Sequence, residues 1–166
     1  MVNNGWGKHL RIVLGESFVA SSAATIGTLV FEVPVWAMFI GWIAFFTRGL
    51  NLRSGLVNLA CVLIGLLLGI AAANALPVLG PLLGAYAISV VVVVITAIAL
   101  SLARAPVFNN LLAFFLGLVA WFAAHLPPSP GALFDLGLAA TLGTLAGFLA
   151  HMWQRHVNTP SSTTAQ

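Results

Sequence analysis

Long apolar runs separated by short polar breaks fill almost the whole chain, and the breaks alternate in kind. Lys8 and Arg11 precede the first run, Arg48 and Arg53 follow the second, Arg104 follows the fourth and Arg155 the sixth. The breaks between, around Glu32, from Leu76 to Pro81 and from Leu126 to Gly131, carry neither Lys nor Arg. Short loops that hold Lys and Arg stay on the cytoplasmic side of a membrane, so the alternation predicts six crossings with both termini inside. The predicted spans run from Ile12 to Phe31, Pro34 to Thr47, Gly55 to Leu76, Leu82 to Leu102, Val107 to Leu126 and Gly131 to Trp153. Five of them meet the roughly 20 residues that cross a hydrocarbon core. The second is short, about 14 residues rising about 21 Å. It is read as a true span, because a re-entrant loop would put Arg48 and Arg53 on the outer side.

The expected fold class is therefore all-α, a polytopic bundle of six transmembrane helices arranged as three consecutive helical hairpins with the second helix short. Residues 1–157 form one transmembrane domain, and residues 158–166, polar and rich in Ser and Thr, a disordered cytoplasmic tail. Prolines punctuate this reading. Pro34 opens the second helix, Pro77 and Pro81 flank the second outer turn, and Pro127, Pro128 and Pro130 make the third. Asn58 followed by Gly65 is echoed by Asn110 followed by Gly117, a hint of internal repetition. Glu16 and Ser17 interrupt the first run, which is read as a permanent helix and not a cleaved signal.

Composition changes the picture in one respect: it removes the soluble alternatives. The chain is 61% hydrophobic and 5% charged, against roughly 25% charged in a soluble domain. The net charge of +3 is spread over separate edges, whereas nucleic-acid binding clusters its cations, so the expected partner is the lipid bilayer and no nucleic acid. Cys61, inside an apolar run, reads as a small apolar filler.

Candidate chemistry is sparse. Glu16 is an ionisable group inside a span, and Ser17, Ser21, Thr25 and Thr28 follow it at spacings of three or four, which places hydroxyls on one helical face. That face suits a solute path. It equally suits tight helix contact, with Glu16 snorkelling to the interface or pairing with Arg11 or Lys8. Asn58, Asn74, Asn109 and Asn110 are amides within or at the ends of spans and serve either as glue between helices or as lining of the same path. Glu32, Asp135 and His125 lie toward the outer face, as an acidic vestibule or as acids that reside there without cost. The pairs Gly65 with Gly69 and Gly143 with Gly147 let helices approach closely and are assigned to helix packing. Trp36, Trp42, Trp121, Trp153 and Tyr86 read as interfacial anchors. His151 and His156, five apart, do not share a face, so no metal is expected; no cofactor motif and no nucleophile with a base occurs, so no enzyme is expected.

The stretch from Val33 to Gly69, with Trp36, the run Phe39 to Gly41, the pair Phe45 and Phe46 and the glycines of the following span, resembles the YcdZ-type family of bacterial inner-membrane proteins, a domain of unknown function. Its opening Pro-x-Trp-Ala, basic turn and Gly-rich helix are also similar, less closely, to the repeated unit of fusaric-acid-resistance-type exporters of aromatic acids. The first resemblance implies the bacterial inner membrane; the second implies an organic-acid path that Arg48 or Arg53 faces. Two functions follow as expectations. One is a small-solute channel or transporter with a path through Glu16, Ser17, Ser21, Thr25, Asn58, Asn110 and Arg48, for which a single copy is narrow and a homo-oligomer is admitted. The other is an accessory subunit that docks on another membrane protein through glycine-rich faces.

Overall fold

A computed structural model describes residues 3–159, and all regular structure among them is helical. Six α-helices follow one another: α1 (Asn3–Leu29), α2 (Val35–Phe46), α3 (Leu52–Leu83), α4 (Ala87–Leu102), α5 (Leu111–Ala124) and α6 (Pro130–Asn158). Only a 3-10 turn at Gly84–Tyr86 separates α3 from α4, so helical structure continues without a gap from Leu52 to Leu102 although the chain reverses there. Three stretches, Gly5–Leu29, Leu52–Leu102 and Pro130–Asn158, are long and apolar enough to cross a membrane, while α2 and α5 are shorter apolar helices.

The helix starts are set by side-chain caps. Asn51 accepts from Ser54 N (2.9 Å), Asn110 from Ala113 N (3.2 Å) and Ser129 from Ala132 N (3.1 Å), each satisfying an amide that the first turn leaves unpaired. Pro130 sits behind Ser129 at the first helical position, where its missing N–H costs nothing. Pro34 caps α2 from an extended conformation, one residue outside the helix that it was expected to open.

One expectation is corrected here. The turn placed at Leu76 to Pro81 is helix, with Pro77 and Pro81 inside α3. The break comes at Gly84, whose φ of 54° and ψ of −131° suit a residue without a β-carbon. Neighbouring helices and local adjustments tolerate Pro in such helices, so proline is a weaker stop there than in water. Of the tail expected from residue 158, Asn158 belongs to α6 and Thr159 caps it through its N–H on the Arg155 carbonyl (3.0 Å). The remainder, residues 160–166, lies outside the described residues.

The tightest packing pairs helices that are not consecutive, α2 with α6 and α3 with α5. Gly41 abuts Ala140, Gly143 abuts Met38 and Gly147 abuts Phe45, so α2 and α6 run parallel. Gly65 meets Gly117 and Gly69 meets Trp121, so α3 and α5 run parallel too. Against α6, helix α1 is antiparallel, with Gly15 beside Trp153 and Gly27 beside Leu142. Helix α4 returns along α3, since Ala99 shares a buried cluster with Cys61 while Val91 and Leu76 line one cavity at the other end. Odd and even helices thus point in opposite directions, and Lys8, Arg11, Arg48, Arg53, Arg104 and Arg155 collect at one end of the bundle. The two short helices, rising about 18 and 21 Å, are each held against a long one.

The interior is mostly apolar, as in a water-soluble protein, but the exterior is apolar too. Asn58, Asn110 and Thr144 are buried, whereas Leu67, Val93, Val119, Phe134 and Leu149 are exposed. An exterior this apolar marks a surface that does not face water. Trp121, expected as an interfacial anchor, is 3% exposed and fills the core beside Gly69; Trp6, Trp36, Trp153 and Tyr86 are exposed.

Candidate functional site

The polar centre of the molecule lies where α2 ends and α3 and α5 begin. Asn58, fully buried, donates from Nδ2 to the carbonyls of Ala44 and Arg48, both at 3.0 Å. Its Oδ1 accepts from Asn110 Nδ2 at 2.8 Å. Asn110 also donates to the Thr47 hydroxyl (2.6 Å) and caps α5 with its own oxygen. Thr47 in turn donates to the Ala44 carbonyl (2.7 Å), and Arg48 reaches over the cluster to the carbonyl (3.0 Å) and the side-chain oxygen of Asn109.

Both amides have all their protons engaged, which is what a buried polar group requires. The cluster joins the last turn of α2 to the first turns of α3 and α5, and it satisfies carbonyls that the end of α2 leaves open. Its chemistry is that of a clamp. The hydroxyl of Thr144 plays a similar part nearer the middle of the bundle, donating to Ala140 of its own helix (2.9 Å) and reaching Gly41 of α2 (3.2 Å).

Of the path residues expected from the sequence, Asn58, Asn110 and Arg48 come together here, and Ser17, Ser21 and Thr25 do not join them. Ser17, Ser21, Thr25 and Thr28 are exposed on the side of α1 turned away from the bundle, and Glu16, one residue before the first of them, is half-buried. Thr25 bonds the carbonyl of Ser21 (2.9 Å). Among the described residues Glu16 forms no ion pair with Lys8 or Arg11. Asn74 is exposed and bonds back to Ile70 (2.8 Å). Glu32, Asp135 and His125 are exposed, and the His125 ring bonds the Ala123 carbonyl (2.9 Å). His151 faces Phe45 and His156 faces Trp153, on different neighbours. No metal-holding group of His, Cys, Asp or Glu occurs among the described residues.

The glycines at the helix crossings include two that spacing between glycines does not reveal, Gly41 and Gly117. A β-carbon on Gly65 would stand 3.0 Å from the Cα of Gly117, and one on Gly117 would stand 2.9 Å from the Cα of Gly65. Each has an alanine four residues earlier, Ala37 and Ala113, both buried. The signal was small residue to small residue, with Ala as well as Gly counted. Thr47 was missed because nothing in its neighbourhood marks the carbonyls it closes.

Apolar helices long enough to cross a membrane and an apolar exterior around a clamped cluster of buried amides define the class, an all-helical protein built for a non-aqueous surrounding. The chain belongs to the family described as Protein of unknown function (DUF1097), which it matches over residues 14–154, from within α1 to within α6. No curated protein and no solved structure matches the chain.

Proposed function

We propose that this is a multi-pass protein of the bacterial inner membrane, with six crossings in three hairpins and both ends cytoplasmic, that works by docking α1 against another membrane-embedded chain. The observation that carries it is the division of polar groups. The interior amides are bound to one another, while the hydroxyl face of α1 points outward and has small residues at i and i+4, namely Ser17 with Ser21 and Ser21 with Thr25. Faces of this kind associate in lipid, where small side chains allow close approach. Gly65, Gly69, Gly143 and Gly147 are occupied by internal contacts, so α1 replaces them as the docking face. The cations at one end support the cytoplasmic placement, and the likeness to YcdZ-type proteins supports the inner membrane. No reaction is assigned.

Cysteine introduced at Ser21 in a Cys61→Ala background, oxidised in native membranes, should give a disulfide-linked product with a second copy or a different chain. Leu67→Cys, on the exposed face of α3, should not. Equal linkage at both positions, or linkage at neither, overturns the proposal.

A second reading is favoured by Glu16, half-buried one residue before the first of these hydroxyls. In it, facing α1 helices of an oligomer line a path for a small polar solute, an organic acid if the exporter likeness carries. Uptake of organic acids into liposomes that falls in Glu16→Gln would support this reading, and equal leakage through both proteins would remove it.

A further inference from the structure

A groove runs along the seam between α1 and α6. One part, a cavity of about 410 Å³, is lined by Arg11, Leu14, Gly15, Phe18, Val19 and Trp153. It continues through Phe18 and Val19 into a second cavity of about 250 Å³, bounded by Ser22 and Ile26 on α1 and by Leu142, Leu145 and Leu149 on α6. Lys8, one turn before Arg11, lies on the same row of α1 as Arg11, Gly15, Ser22 and Ile26. The cationic mouth is braced by Trp153, whose indole Nε1 donates to the Arg11 carbonyl (3.0 Å) and whose ring occupies the space a side chain at Gly15 would need. Glu16 lines neither cavity.

The groove is cationic at one end and apolar along the rest. From Arg11 to Ile26 it rises about 22 Å, which matches one leaflet including its headgroups, about half of a 40–45 Å bilayer. A contrasting cavity of about 510 Å³ between α3, α4 and α5, with Leu76, Val92, Ile95, Phe115 and Phe122 in its wall, has no cation in its lining. Hydrocarbon fits both places, but only the α1–α6 groove complements a negative headgroup at the level of the basic end.

We propose that the α1–α6 groove binds one anionic phospholipid of the leaflet on the basic side, its phosphate at Arg11 and Lys8 and an acyl chain between Phe18 and Leu149. The proposal rests on the membrane reading above; a chain recovered in membranes but indifferent to headgroup charge sinks this proposal alone. The test is native mass spectrometry of the full chain in detergent with phosphatidylglycerol and phosphatidylcholine at equal mole fraction. One phosphatidylglycerol should be retained with a preference of about thirtyfold, the scale that two interfacial cations provide. Lys8→Ala with Arg11→Ala should abolish the preference. Arg53→Ala should keep it, because Arg53 opens α3, which does not pack on α1. Long-chain phosphatidylglycerol should be retained over the dihexanoyl form, and soluble glycerol 3-phosphate should not displace it. Equal retention of the two headgroups, equal loss in the Arg53→Ala protein, equal retention of long and short chains, or displacement by glycerol 3-phosphate would each overturn the assignment.

Discussion

Helices α6 and α1 are both long, apolar and studded with small residues, yet half of the most apolar stretch of α6 is buried and only 6% of that of α1. In α6 the small residues Ala140, Gly143 and Thr144 meet the backbone of α2, and Gly147 meets the Phe45 side chain. In α1 Gly15 meets the Trp153 ring closely and Gly27 makes ordinary contact with Leu142, while Ser17, Ser21, Thr25 and Thr28 face outward. The same residue types therefore do two jobs. Where a second helix lies within reach they set the crossing; where none does they leave a face prepared for contact.

That contrast is broken most forcefully at the crossings. In Gly143→Ala the added methyl overlaps the Met38 carbonyl, and in Gly117→Ala it overlaps the Val62 carbonyl, so in both cases backbone has to yield. Overpacking of this kind costs about 1–3 kcal/mol, and the upper end is expected because no side chain can swing aside. Thermal unfolding in detergent should show a large drop for both variants. Gly80→Ala, which meets nothing within 4 Å, should unfold with the wild type. Equal behaviour of all three would mean that the crossings do not carry the fold.

A smaller effect is expected at the amide clamp. Asn58→Ala removes the bonds to Ala44, Arg48 and Asn110 together, and Asn110→Ala removes those to Thr47 and Asn58 and the cap on Ala113. Interhelical hydrogen bonds in membranes contribute about 0.6 kcal/mol each, up to about 1.7. A double-mutant cycle should therefore return a coupling of about 1 kcal/mol between the two positions. Strict additivity would show that each amide acts through its local carbonyls alone.

How much of this was legible follows from what periodicity can carry. The apolar runs located all six helices, because burial in hydrocarbon leaves a strong composition signal, but only α2 and α5 to within four residues, since α1 starts nine residues before its predicted span and α3 ends seven after it. The Asn–Gly echo pointed at the residues that α3 and α5 bring face to face, Asn58 with Asn110 and Gly65 with Gly117. The choice of partners was not legible. Hairpins suggest that neighbours in sequence pack most closely, yet α2 chooses α6 and α3 chooses α5, a decision made by the fit of Gly41, Gly65, Gly117 and Gly143 to distant carbonyls. Nor does a hydroxyl stripe declare which way it faces. Ser17 and Thr25 have the same spacing whether they line an interior or an exterior, and only the packing of the opposite face, through Gly15 and Gly27, turns them outward.

The smallest effect on folding sharpens the comparison furthest. Ser21→Leu with Thr25→Leu changes two exposed positions, and the only bond described for them is the local one from Thr25 to the Ser21 carbonyl. Surface changes of this kind stay within about 0.5 kcal/mol, so the melting temperature in detergent should not move. If the outward face is a contact surface, two bulky side chains in place of small ones separate the facing helices. Blue native electrophoresis of solubilised membranes should then show the assembly shifted to the single chain, with unchanged unfolding of that chain. An assembly that persists through this replacement assigns the face to lipid, and a lowered melting temperature assigns it to the fold.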